Sequence, residues 1–563
     1  MSNTCVLWAA RMKALLLVSV FALMGAAPSL VISPAEKSAA SSITRDVLRA
    51  HVRFLASDLL EGRGASSRGD RLAEEYIAAQ FEMLGLKPAG TKGYLQPLEL
   101  VGTAGHPEVL SFTAGDKRIE LKHADDFMAV AQRQQEQTKI DNAELVFVGY
   151  GIVAPEYQWD DYKGMDLRGK VLLMMNNDPE NDPNLFAGKT RLWYGRWDYK
   201  YESAAKTGAV GAIIIHTIHS AGYPWQVVRT SWAGEQFALP QTGAQYLQMR
   251  AWATEEASKR ITSLGGKDLD ALREAAEKRD FRPVPLGVTL STSFSNTLRR
   301  TQTENVIGVL PGSDPTLSRE AVFYTAHHDH LGLKKGAKPG EDSIYNGAVD
   351  NASGVSAILT IAQAFSRMPK PPKRSVYFAS VAAEESGLLG SEYLVHHLLV
   401  PAGQIAVDIN VDGLNIRGRT KDVSSIGLGK SNVDDYVRAL AAMQKRVVVG
   451  DLFPDRGYFY RSDQFNFAKV GVPAAYIKSG LDYVGRPPGW GKQQREHWIA
   501  THYHQPSDEL TDDWDLSGAV EDVRLNFHLG YQLAQARAMP QWNKGDEFES
   551  ARKKSLAAVK SAR

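Results

Sequence analysis

Thiols are almost missing from this chain: Cys5 is its only cysteine among 563 residues. That excludes an internal disulfide and a cysteine-ligated zinc site, and it leaves stability to the packed core. A surplus of one charge is missing too, with 65 Lys+Arg against 64 Asp+Glu. Without a basic excess, neither nucleic acid nor an anionic membrane is expected as a partner. Beyond the N-terminal region no run is long and apolar enough to span a bilayer. Internal repeats are absent, and the one biased tract is a polar, Lys-rich end at 553–563. What is present is 44% hydrophobic residues and 11 Trp, a cored composition in a chain too long for one typical domain.

The N-terminus reads as an export leader. Arg11 and Lys13 precede the apolar run 14–27, which is short for a membrane span. Ser33-Pro34-Ala35 offers small residues for cleavage before Glu36, and Gly25-Ala26-Ala27 is the other site. Cys5 would leave with the leader, so a secreted or periplasmic protein is expected.

Helical spacing marks 43–54 and 68–84, with Gly85 ending the second and a glycine-rich loop between them. Short strands follow from 97 to 127, then strands at 144–153, 170–175 and 209–216 with a helix at 199–207. Residues 251–279 read as charged helix, and 284–295 as an extended return to the main domain. From 305 onward strands and helices alternate: strands at 321–326, 375–382, 405–411 and 474–478, helices at 355–365, 391–399, 433–444 and 516–536. That alternation predicts an α/β sheet covered by helices on both faces.

In such sheets ligands bind outside the carboxyl ends of the strands. The stretch AVFYTAHHDHLG (321–332) ends its strand on His327, with Asp329 two residues on and on the same face of extended chain. His328 falls on the opposite face, which favours His327. Glu384 and Glu385 end the strand 375–382, and Asp412 ends 405–411. Asp408 lies within that last strand and is expected to be solvated or paired. Asp350 stands before NASG, where Asn351 or Ser353 can cap the following helix. The loop THYHQPSD (501–508) adds Tyr503, His504 and Asp508, with His502 beside them. Acids and imidazoles thus gather at one end of several strands.

Five segments in order, AHHDHLG (326–332), NGAVDNASG (346–354), AAEESGLLGS (382–391), INVDGLN (409–415) and THYHQPSD (501–508), resemble metallopeptidase family 28, the co-catalytic zinc exopeptidases. FLASDLLEGRG (54–64) and LGLKPAG (84–90) resemble that family's N-terminal region. The resemblance implies the zinc exopeptidase fold, a mixed and mostly parallel sheet, and two Zn²⁺ ions. His327 and Asp412 would hold one ion, Glu385 and His504 the other, and Asp350 would bridge them. Glu384 would be the general base, Asp329 the partner orienting His327, Tyr503 a donor to the oxyanion, and Asp508 a hydrogen-bonding residue of the His504 loop. Arg461-Ser462-Asp463 resembles a segment bordering the substrate pocket. Two ions about 3.5–4 Å apart share and acidify one water. VFVGYGIVAPE (146–156), DLRGKVLLM (166–174) and AAKTGAVGAIII (204–215) resemble a protease-associated domain. The expected organisation is a leader at 1–35, a peptidase domain at 36–126 and 291–545, an inserted β-rich domain at 127–290 and a polar tail at 546–563.

The activity this implies is an aminopeptidase acting on peptides. Carboxypeptidase or dipeptidase action on the same scaffold is the alternative, and basic pocket residues would favour it. A single-zinc glutaminyl cyclase or a non-catalytic receptor ectodomain stand further off, because no ligand of the set is missing. Side-chain specificity and oligomeric state are left open.

Overall fold

The computed structural model describes residues 30–561 apart from 244 and 335. The leader expected on residues 1–29 therefore lies outside the described residues. No helix among those described is long and apolar enough to cross a membrane.

One ten-stranded sheet carries the site. Its order is Gln236–Ala238, Leu95–Ala104, Thr297–Leu310, Ser375–Val381, Ala321–His327, Ile405–Asn410, Ala474–Ser479, Asp422–Ile426, Val447–Val449, with Lys87–Pro88 paired to Thr297–Leu310. The four strands from Ser375–Val381 to Ala474–Ser479 are parallel, and antiparallel strands flank them. All seven residues of Ala321–His327 are buried, as a central parallel strand requires. One face is covered by Arg45–Leu55, Arg68–Met83, Ser353–Ser366, Val433–Met443 and Ser517–Gln535. Leu394, Val395 and Phe467, from Leu389–His396 and Gln464–Lys469, cover the other.

A second sheet of eight strands has its own core. It draws in Val109–Ala114 and Lys117–Lys122, and it keeps Val284–Ser295, expected to return to the main domain. The second unit therefore spans about 105–295, not 127–290. Half-buried strands alternate alike in either sheet, so local pattern does not say which sheet they join. Strand Gln236–Ala238 leaves this unit and edges the main sheet.

Both ends of the main domain also differ from expectation. Residues 30–35, assigned to the leader, belong to the fold: Leu30 and Ile32 pack on the core, and Ser33 Oγ accepts the Glu36 N–H as an N-cap. The polar tail is a docked helix, Glu549–Ser561. Its buried Arg552 donates to the carbonyls of Ile405 and Ala402. A long charged side chain covers apolar surface while its head finds acceptors, which composition alone hides.

Candidate metal centre

The rim is built by backbone anchors. The Asp329 carboxylate accepts the N–H groups of Glu384 (2.9 Å) and Glu385 (3.2 Å), so it holds the turn after Ser375–Val381. Ala383 in that turn takes φ +52°, a left-handed conformation costing a non-glycine residue about 1 kcal/mol. Asp508 accepts from Val349 N (3.0 Å) and Asp350 N (3.1 Å). Asn351 Oδ1 accepts from Gly354 N and Gly413 N, at 2.8 and 2.9 Å, capping the helix and tying it to the loop of Asp412.

Those anchors bring the expected residues together. His327 Nε2 stands 3.3 Å from Asp350 Oδ1, 3.7 Å from Asp412 Oδ1 and 4.0 Å from Glu384 Oε2. His504 Nε2 stands 3.4 Å from Asp350 Oδ2 and 3.1 Å from Glu385 Oε2. The two oxygens of Asp350 thus face different imidazoles. Asp329 is placed differently from expectation: its carboxylate lies 3.8 Å from His327 Nδ1, and its backbone oxygen, at 3.2 Å, is the hydrogen-bonding partner. The carboxylate is occupied by the Glu384–Glu385 turn instead. His502 is outside the site, bonded through Nδ1 to Thr501 Oγ1. Asp408 is fully buried on Thr325 Oγ1 (3.0 Å), inside the sheet and not at its rim.

Several site residues carried no local signal. Arg63 is fully buried and donates to the carbonyls of His328 (2.7 Å), Asn346 (2.7 Å), Gly347 (3.0 Å) and Leu55, clamping both metal-site loops. His330 Nδ1 lies 2.7 Å from Glu385 Oε1. Ser231, from the second unit, meets His504 Nδ1 at 2.9 Å, and Tyr223 of that unit lines the same cleft. EGRG and HHDH did contain Arg63 and His330; their partners lie 265 and 55 residues away.

Burial alone would lower His327, but Glu384, Asp350 and Asp412 raise it well above the ordinary imidazole range. His504 is likewise lowered by burial and then carried up to about 10 by Glu385 and Asp350. Glu384 is raised well above a usual carboxyl by burial, which His327 opposes and Glu385, Asp463 and Asp412 reinforce. Despite burial, Lys478 and His327 bring Asp412 down to about 2. Four carboxylates crowd three imidazoles, those of His327, His330 and His504, and buried carboxylates gathered this closely call for cations.

The residues fit a pair of divalent ions. His327 Nε2 is buried and has no hydrogen-bond partner. Two donors about 2.0–2.1 Å from a tetrahedral Zn²⁺ stand about 3.3 Å apart, and the imidazole–carboxylate spacings here run from 3.1 to 3.7 Å. Imidazole plus carboxylate is a zinc-type donor set. Beyond it the cleft presents Arg461, Lys478 and Arg495, with Tyr458, Trp498 and Tyr503.

Residues 305–528 match peptidase family M28, a span that contains His327, Asp350, Glu384, Glu385, Asp412 and His504. Through this segment the chain resembles peptidase family M28. Leupeptin-inactivating enzyme 1 of Streptomyces exfoliatus is 27% identical over 216 residues, covering 37% of this chain and 43% of that protein. Aminopeptidase YwaD of Bacillus subtilis (strain 168) is 31% identical over 211 residues, covering 37% and 40%. The match thus spans less than half the length of either relative. Among solved structures, the aminopeptidase from Aneurinibacillus sp. strain AM-1 aligns with a TM-score of 0.52 at 19% identity, over 90% of this chain and 97% of that one. At that identity the likeness establishes the shared fold.

Proposed function

We propose that this protein is a two-zinc exopeptidase of peptidase family M28, an aminopeptidase that releases N-terminal residues from peptides. The observation that carries the reading is Asp350, whose two oxygens stand 3.3 and 3.4 Å from His327 and His504. A carboxylate so shared suits two neighbouring ions. His327 and Asp412 would hold one, Glu385 and His504 the other. The ions supply Lewis acidity, polarising the scissile carbonyl and acidifying water.

The protein's residues supply the rest. Glu384 is held at its backbone by Asp329 and reaches the same rim without sharing the second imidazole. It takes the proton of the attacking water and delivers it to the leaving amine. Burial, with Arg461 opposing, keeps the Tyr503 phenol well above its usual range, so it stays protonated. Arg461 Nη2 donates to Tyr503 Oη at 3.2 Å, which aims the phenol as a donor to the developing oxyanion. The second unit, resembling a protease-associated domain, lines the cleft through Tyr223 and reaches His504 through Ser231. The leader pattern before residue 30 supports export.

A second reading, carboxypeptidase or dipeptidase action, is favoured by Arg461, Lys478 and Arg495 in the cleft, which would grip a terminal carboxylate. One experiment separates them: zinc content, with turnover of amino-acid amides, N-blocked peptides and free dipeptides. Amide hydrolysis abolished by N-blocking supports the aminopeptidase. Hydrolysis of N-blocked peptides that needs a free C-terminus supports the second reading. No hydrolysis by zinc-loaded protein refutes both.

A further inference from the structure

We propose that Asp70, Glu74 and His328 form a third cation site, one that takes Zn²⁺ with no part in hydrolysis. The site stands on its own geometry, and the zinc counts of its test rest on the two-ion centre proposed above.

Asp70 and Glu74 are one turn apart on the same face of Arg68–Met83. His328 points away from its neighbour His327, through the strand end toward that helix, as alternation requires. All three are buried, with exposures of 0, 1 and 0%. His328 Nε2 lies 3.5 Å from Asp70 Oδ1 and 3.9 Å from Glu74 Oε1.

The remaining bonds set the donors facing inward. His328 Nδ1 meets Ser380 Oγ at 3.1 Å; donation there leaves the Nε2 lone pair free. Asp70 Oδ2 accepts from Ser66 N (2.6 Å) and Thr303 Oγ1 (2.8 Å). Glu74 Oε1 accepts from Glu304 N (2.8 Å) and lies 2.9 Å from Thr303 Oγ1, whose single proton is shared between the two carboxylates. Asp70 Oδ1 and His328 Nε2 are left buried and without partners, aimed at each other.

A plain ion triad does not account for that gap. An imidazolium between two carboxylates closes to about 2.7–2.9 Å, because a buried N–H without an acceptor is costly. The observed 3.5 and 3.9 Å resemble the spacings of the metal pair, where His327 Nε2 stands 3.3 and 3.7 Å from its carboxylates and is likewise without a partner. Such an ion would pin Arg68–Met83 to the strand end one residue from His327.

The test counts zinc on the full chain produced with excess Zn²⁺ and dialysed. Three per chain are expected in the wild type, one in Asp350→Ala, which dismantles the bridged pair, and two in the Asp70→Asn/Glu74→Gln variant. Burial also makes the third ion leave a chelator last, so zinc release is expected in a fast phase of two and a slow phase of one. Two zincs in the wild type with none in Asp350→Ala overturn the proposal, even if the Asp70/Glu74 variant fails to fold. A third zinc that a chelator strips as fast as the pair also overturns it, since that is surface binding.

Discussion

Replacing Asp329 by Asn tests how the rim is held. Asp329 accepts two N–H groups with its two oxygens, those of Glu384 and Glu385 at 2.9 and 3.2 Å. Each bond to a charged acceptor contributes about 1.5–3 kcal/mol. Asn keeps one neutral acceptor and sets an NH₂ against the other N–H. One bond weakens and one is replaced by facing donors, a loss of about 2–4 kcal/mol in the tie. The turn carrying both Glu384 and Glu385 then drifts, and a displacement approaching 1 Å costs about 10²-fold in turnover. The backbone oxygen that accepts from His327 Nδ1 survives the substitution. Zinc at the Glu385–His504 side should therefore weaken by about 10–100-fold while the His327 side binds nearly as before. Turnover measured beside a two-step zinc titration reads both. Wild-type turnover, or selective loss at the His327 side, refutes this account.

Glu384→Gln should retain zinc and lose about 10²–10⁴-fold in kcat; near-native turnover would remove Glu384 as the base. Arg63→Lys gives up most of four carbonyl bonds inside the core, so thermal unfolding should come several degrees earlier with weakened zinc binding; an unchanged Tm contradicts the clamp. Burial pushes His216 down from 6.5 to about 4. Between those values the unfolded chain binds more protons than the folded one, so stability falls as pH drops through this window, by at most about 3 kcal/mol. Urea unfolding at pH 7 and pH 5 should show His216→Gln losing part of that slope, and equal slopes would exclude the effect. Truncation after residue 545 removes the docked helix and strips Arg552 from the Ile405 carbonyl, so it should lower Tm; the tail is inert if Tm holds.

Sequence pattern alone reached the alternating sheet and the helices on both faces, and the motifs quoted from it contain the acids and imidazoles that the structure gathers at the sheet's rim. Those features repeat with short periods or sit at the ends of apolar runs, so a few neighbouring residues suffice to place them. Tertiary structure alone decided which sheet Val109–Ala114 and Val284–Ser295 join, that the lysine-rich tail docks as a helix, and what each anchor holds. Arg63, Asn351, Ser231 and the Asp329 carboxylate act on partners tens to hundreds of residues away. Side-chain hydrogen bonds across such distances follow from how the layers pack. No local periodicity encodes them: the two-residue spacing of His327 and Asp329 points to a pair, whereas the Asp329 oxygens hold the turn of Glu384 and Glu385.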